Sequence, residues 1–251
     1  TEEYGTLLAA EEERLSQLQD WQDISRNVRA SFELSYRRLE NAAIQQLFAT
    51  LSLFDGESFS IDTIVAVSGS LSSTQIKVHM GRLTGLSLVE TFTVSDEQVE
   101  QSATVGKLPS GLLERYRLHS LLKLFAQEKF VGDRIVARQR QINYYITLAQ
   151  RYRAESYRLL DIEWSNFDHI LTWLITQNRW TQAIQIISDL TYLHLGVAGF
   201  FDARGYWQRG EALCNQALAT LTNSDDALRR AELQLKLGIF ALRQAAYEQA
   251  A

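Results

Sequence analysis

Leu86-Ser87-Leu88-Val89-Glu90-Thr91-Phe92-Thr93-Val94 decides the fold. The stretch is rich in β-branched and aromatic residues with partial alternation, a strand signal, and Tyr116-Arg117-Leu118-His119 supplies a partner strand. A polar loop from Ser95 to Gly111 joins them and holds Gly106, Pro109 and Gly111. Upstream the period is helical. Val28, Phe32, Ser35, Tyr36 and Leu39 form one amphipathic set, and Ala43, Leu47, Phe48, Leu51 and Phe54 form another beyond a break at Glu40–Asn41, closed by Asp55-Gly56. Ser60 is placed as an N-cap ahead of Ile61, Ile64 and Val65, and Ser72 and Ser73 cap a further helix with Ile76, Met80 and Leu83 on its apolar side. Three helices followed by a two-stranded hairpin make a winged-helix layout.

Composition agrees with a long-helix protein. The 251 residues contain one proline and 13 glycines, against average usage of about 5% and 7%, which excludes sandwiches and propellers with a turn every ~8–12 residues. The net charge of −5 sits in residues 1–20, where Glu2, Glu3, Glu11, Glu12, Glu13 and Asp20 face only Arg14. The remaining chain is neutral, so no global basic field draws it to nucleic acid or an anionic membrane. The single cysteine, Cys214, cannot form an internal disulfide, no apolar run reaches membrane-span length, and no leader is evident. A reducing, cytoplasmic location is expected.

From Ser120 onward every segment reads as helix. Leu121, Leu122, Leu124, Phe125 and Phe130 belong to one, and after Gly132 a longer one carries Ile135, Ile142, Tyr145, Ile146, Ala149 and Tyr152. Trp164, Phe167, Ile170, Leu171 and Leu174 share a face, followed across Gln177-Asn178 by Ala183, Ile184, Ile187 and Leu190, a helical hairpin. Trp180-x-x-Ala183 and Tyr247-x-x-Ala250 lie 67 residues apart, close to twice the ~34-residue tetratricopeptide period, with the aromatic expected to end one helix and the alanine to open the next. The expected architecture is therefore mostly α: a helical tail over 1–27, a winged-helix domain over 28–131, and a tetratricopeptide-like (TPR-like) solenoid over 132–251.

Two stretches carry a family resemblance. Arg29-Ala30-Ser31-Phe32-Glu33-Leu34-Ser35-Tyr36-Arg37-Arg38-Leu39, with Leu47-Phe48-Ala49-Thr50-Leu51-Ser52-Leu53-Phe54, resembles the start of the winged-helix domain of STAND (NB-ARC type) signal-transduction ATPases. Tyr116-Arg117-Leu118-His119-Ser120-Leu121-Leu122-Lys123-Leu124-Phe125-Ala126-Gln127-Glu128 resembles its end, a Met-His-Asp-like motif followed by a helix, with Leu118 standing for Met and Ser120 for Asp. The repeats are similar to the helical sensor arms of bacterial members. The resemblance implies that His119 contacts the phosphate of ADP held by an ATPase domain of the same polypeptide, and that a protein ligand binds the arm. ADP or ATP is thus implied for the full-length protein. This chain itself has no G-x-x-x-x-G-K-[ST] phosphate loop, so it is expected to hold no nucleotide or other cofactor alone.

His119 also suits an anion by position, since it precedes a helix N-terminus and lies near Arg115 and Arg117. Phe200, Phe201, Tyr206 and Trp207 crowd a segment flanked by Gly199, Gly205 and Gly210 and are expected to line a recognition surface of the arm. Under an alternative reading, a DNA-binding regulator with a helical ligand or dimerisation domain, Lys77, His79 and Arg82 would contact the duplex. A plain interaction scaffold is the third reading. Residues 114–158 carry ten bases against four acids, an anion-facing surface or a solvated helix face. Asp161 and Glu163 are read as acids before a helix N-terminus. The four histidines and Cys214 show no metal-ligand or catalytic spacing, so no catalytic or metal site is expected and the chain is not expected to be an enzyme.

Overall fold

Helix α1 (Trp21–Arg37) and helix α2 (Ala42–Leu51) come first in the computed structural model, which describes residues 21–39, 41–94, 114–153, 157–191, 199–221 and 227–250. Strand β1 (Phe59–Ser60), α3 (Ile61–Ser68), α4 (Ser73–Gly85), β2 (Glu90–Thr93), β3 (Glu114–Arg117) and α5 (Ser120–Lys129) follow. The rest is helical: α6 (Arg134–Tyr152), α7 (Tyr157–Thr176), α8 (Trp180–Leu190), α9 (Phe200–Ala203), α10 (Trp207–Thr220) and α11 (Ala227–Ala250). The described chain is thus mostly helical with one small three-stranded antiparallel sheet.

Local chemistry sets several boundaries. Asn41 is the N-cap of α2, its side chain accepting from the Ala43 N–H at 2.7 Å. Ser60 caps α3 as its sequence position suggests, accepting from the Thr63 N–H at 3.3 Å. Gly69 ends α3 with φ +71, a left-handed conformation open to glycine at little cost. Ser72 and Gln75 form a reciprocal box at the start of α4, with Ser72 N–H donating to the glutamine at 2.9 Å and Gln75 N–H to the serine at 3.3 Å. Ile76, Met80 and Leu83 of α4 are all fully buried, the face expected from their spacing.

Two compact units interleave along the chain: one takes the described residues of 1–52, 79–90 and 118–131, the other those of 53–78, 91–117 and 132–251. The first is centred on aromatic rings. Phe125 of α5 lies 5.9 Å from Phe32, 5.8 Å from Tyr36 and 6.2 Å from Phe48 between ring centroids, and the Lys129 ammonium sits 4.9 Å from the Phe125 ring while pairing with Glu33 at 2.8 Å. Arg29 adds a pair with Glu128 at 2.6 Å.

The second unit holds the sheet, ordered β1-β3-β2, in which Phe59 pairs with Tyr116 and Ser60 with Arg115. Its core runs through α6 to α11, with Tyr145, Phe167, Leu171, Ile187, Phe200, Phe201 and Leu213 fully buried. Trp180 opens α8 instead of closing the preceding helix, so the repeat spacing does not fall on the expected helix ends. Strand β2 is shorter than its sequence signal, Leu88 and Val89 being buried before it begins, and β3 is shifted toward the N-terminus, running from Glu114 to Arg117 and leaving Leu118 and His119 outside it. The tail before residue 21 and the loop over 95–113, with Pro109, lie outside the described residues.

Candidate functional site

The most developed polar arrangement lies inside the second unit, between β3 and α7. Arg115, at the register position opposite Ser60, is fully buried and so is Glu163 of α7, and the two form an ion pair between the guanidinium Nη1 and Oε1. Arg115 also donates to Ser58, from Nε to the hydroxyl at 3.1 Å and from Nη2 to the backbone carbonyl at 2.9 Å. The second oxygen of Glu163 accepts from the Tyr145 hydroxyl and from Asn166 Nδ2, both at 2.8 Å. Asn166 Nδ2 also donates to the Ser58 carbonyl at 2.7 Å.

Taking two charges out of water costs several kcal/mol each, and only saturated hydrogen bonding offsets that cost. Here the guanidinium donates three hydrogen bonds and the carboxylate accepts three. Burial raises the Tyr145 hydroxyl well above its ordinary pKa, with the Glu163 carboxylate adding to the effect, and Tyr144 is raised for the same two reasons. These tyrosines stay neutral donors throughout the physiological range. One atom is left over: Asn166 Oδ1 is buried without a hydrogen-bond partner, and a Cβ at Gly56 would lie 2.2 Å from it, so a larger residue there requires the Asn166 side chain to shift. Chemically the network is a closed clamp. It holds the strand of the hairpin to the first helices of the helical array.

Sequence reading misses this clamp. Arg115 reads as one base of a basic stretch, and Asp161 and Glu163 read as acids before a helix, whereas α7 begins at Tyr157 and encloses both. Asp161 pairs with Arg204 at 2.6 Å instead. The available signal is periodicity, because Glu163 falls on the buried stripe of Leu160, Phe167, Ile170 and Leu174. The basic stretch is also less open than its count suggests: Arg138 bonds Asp55 and the Leu53 carbonyl at 2.9 and 2.8 Å, and Arg153 bonds Asp189 at 3.4 Å.

His119 belongs to the first unit, exposed as the N-cap of α5. Its Nδ1 accepts from the Leu121 N–H at 3.4 Å, which leaves the ring proton on Nε2. The structure therefore puts a donor at a helix N-terminus.

The expected aromatic recognition surface is corrected. Phe200 and Phe201 are fully buried and Tyr206 and Trp207 half-buried, because their rings fill the core around Trp164. Trp164 stacks on Tyr206 at 4.9 Å and meets Phe201 edge-on at 5.3 Å, and Trp207 donates its indole N–H to Asp202 at 3.1 Å. Of the glycines there, Gly210 serves close packing, whereas Gly205 takes a left-handed φ of +67 with open space around it. A Cβ at Gly210 would approach the rings of Phe240 and Phe201 to 2.7 and 2.8 Å.

On α4, Lys77 and Arg82 are exposed, while His79 is half-buried with Nδ1 buried and lacking a hydrogen-bond partner. Among the described residues no group of His, Cys, Asp and Glu side chains could hold a metal ion, and no helix is long and apolar enough to cross a membrane. Compared with known proteins, the chain matches no family model, no curated protein and no solved structure.

Proposed function

We propose that this chain is the regulatory portion of a STAND-type signal-transduction ATPase: a winged-helix region over 28–131 that reports nucleotide state, joined to a TPR-like helical arm over 132–251 that senses a protein partner. The family part rests on the sequence resemblance around Arg29–Leu39 and Tyr116–Glu128. The observation that carries the nucleotide role is His119, exposed at a helix N-terminus with its Nδ1 engaged by the Leu121 N–H and its Nε2 proton available to an anion. In this reading the imidazole donates to a phosphate oxygen of ADP held by an ATPase domain of the same polypeptide, and the chain contributes no catalytic group. The buried Arg115–Glu163 clamp supports the mechanical side, because a hairpin strand fastened to the arm moves with it. Partner binding and nucleotide exchange then bias one equilibrium between two states.

The test uses the full-length protein. His119→Ala is expected to speed ADP release roughly tenfold or more, the scale of a lost hydrogen bond to a charged group. His119→Ser keeps a capping oxygen for α5 and is expected to release ADP equally fast, which separates nucleotide contact from helix capping. Unchanged retention in both variants sinks the nucleotide role. DNA affinity that falls steeply with salt and is lost in a Lys77→Ala/Arg82→Ala variant would instead support the duplex-binding reading.

A further inference from the structure

Helix α11 presents Leu228, Leu235 and Leu242 at seven-residue intervals, and they are 83%, 66% and 73% exposed. Ala231, Gly238 and Ala245, each three residues further on, are exposed as well, and a Cβ at Gly238 would meet nothing within 4 Å. The helix is already fully used on its other side, where Leu233 and Phe240 enter the core at 0% and 3% exposure. The leucines are therefore additional to the core of this unit. A leucine and a small residue alternating every three and four positions form a 3.5-residue period, the spacing that keeps one seam facing a second helix in a left-handed supercoil.

The pattern is its own complement. With two copies antiparallel about an axis midway between Leu235 and Gly238, Leu228 lies opposite Ala245, Leu235 opposite Gly238 and Leu242 opposite Ala231, so every leucine meets a small residue of the other copy. The rim does not oppose this register. Glu232, paired with Lys236 of its own helix at 3.5 Å, comes opposite Ala241, and Gln234 comes opposite Ile239, so no like charges meet at these flanking positions.

We infer that this face of α11 binds a second copy of the chain, helix against helix, antiparallel and two-fold symmetric. The stripe from Leu228 to Ala245 is about 26 Å long on a helix ~10 Å wide. Such a contact buries on the order of 1,000 Å² in total, just below the ~1,200 Å² at which specific stable interfaces begin, so the dimer is weak and concentration-dependent.

Sedimentation velocity of this chain over a micromolar-to-millimolar series is expected to show the mean mass rising toward that of a dimer. Leu235→Lys, at an exposed position, removes the leucine from both copies at once and is expected to lower the association constant roughly a hundredfold with an unchanged far-ultraviolet spectrum. Gly238→Leu discriminates mechanism: leucine is the better helix former, yet it fills the hole that receives Leu235, so association weakens. An equimolar mixture of Leu235→Cys and Gly238→Cys variants is expected to cross-link several-fold faster on mild oxidation than either variant alone. A monomer at every concentration, stronger association in Gly238→Leu, or equal cross-linking rates would each overturn the proposal.

Discussion

Glu163 holds three donors from three other residues, and that makes it the most consequential single side chain in the second unit. Arg115, Tyr145 and Asn166 all aim at its two oxygens in a fully buried setting. Removing one partner of a buried ion pair strands the other charge, so Arg115→Leu and Glu163→Leu are each expected to cost about 3–5 kcal/mol. The double substitution leaves no orphaned charge and is expected to cost well short of the sum, with a coupling energy of about 2 kcal/mol or more. Urea unfolding of the four proteins measures this directly. Strict additivity would show that the pair is not coupled and that the clamp is only an arrangement of neighbours.

At the scale of elements, the helical glycines separate into those that permit contact and those that merely weaken a helix. Gly210 of α10 would bring a Cβ to 2.7 Å from the buried Phe240 ring, so Gly210→Ala is expected to destabilise by about 1–3 kcal/mol despite the better helix propensity of alanine. Gly81 of α4 is exposed with nothing within 4 Å, and Gly81→Ala is expected to stabilise by roughly 0.5–1 kcal/mol. Thermal midpoints that move in the same direction for both would show that packing around Gly210 relaxes freely. The same distinction explains what the sequence displays. Amphipathic period places the buried faces of α4, α7 and α8 correctly, and serine and asparagine chemistry places the caps at Ser60 and Ser72 and the break at Asn41. Strand β1 leaves no such trace, since two residues cannot show a period and its pairing with Tyr116 and Arg115 spans more than fifty positions. The aromatic segment 200–207 misleads for a related reason: residue type marks rings that need a partner, but only packing decides whether that partner is Trp164 or another protein. His119 as a helix-initiating residue is legible from strand-to-helix order, whereas the Arg115–Glu163 pairing is a long-range contact that no local pattern encodes.

For the second unit as a whole, Cys214 is a built-in reporter of cooperative opening. The thiol is fully buried in α10, and burial pushes its pKa up to about 12 from an ordinary 9.0, outweighing the opposing effect of nearby Lys236. In the native state it is therefore a neutral, inaccessible thiol at pH 8, and alkylation must proceed through opening. When closing outpaces labelling, the rate follows the free energy of opening. Arg115 is placed in a different element from Cys214, yet both belong to the second unit, whose clamp and helical array share α7. If that unit opens as one body, Arg115→Leu is expected to accelerate labelling of Cys214 by roughly a hundredfold, the factor that corresponds to about 3 kcal/mol. A local fluctuation of α10 and α11 would instead leave the rate unchanged while the urea midpoint falls, and that outcome would divide the unit at α7. The pH dependence has a fixed sign. The folded thiol keeps its proton above pH 9 while the unfolded one loses it, so this group's contribution to stability is fully present below about pH 9 and is lost progressively as pH rises toward 12. Cys214→Ala removes that slope, and a difference between the two proteins that stays constant from pH 8 to 11 would contradict the buried, neutral thiol on which the reporter depends.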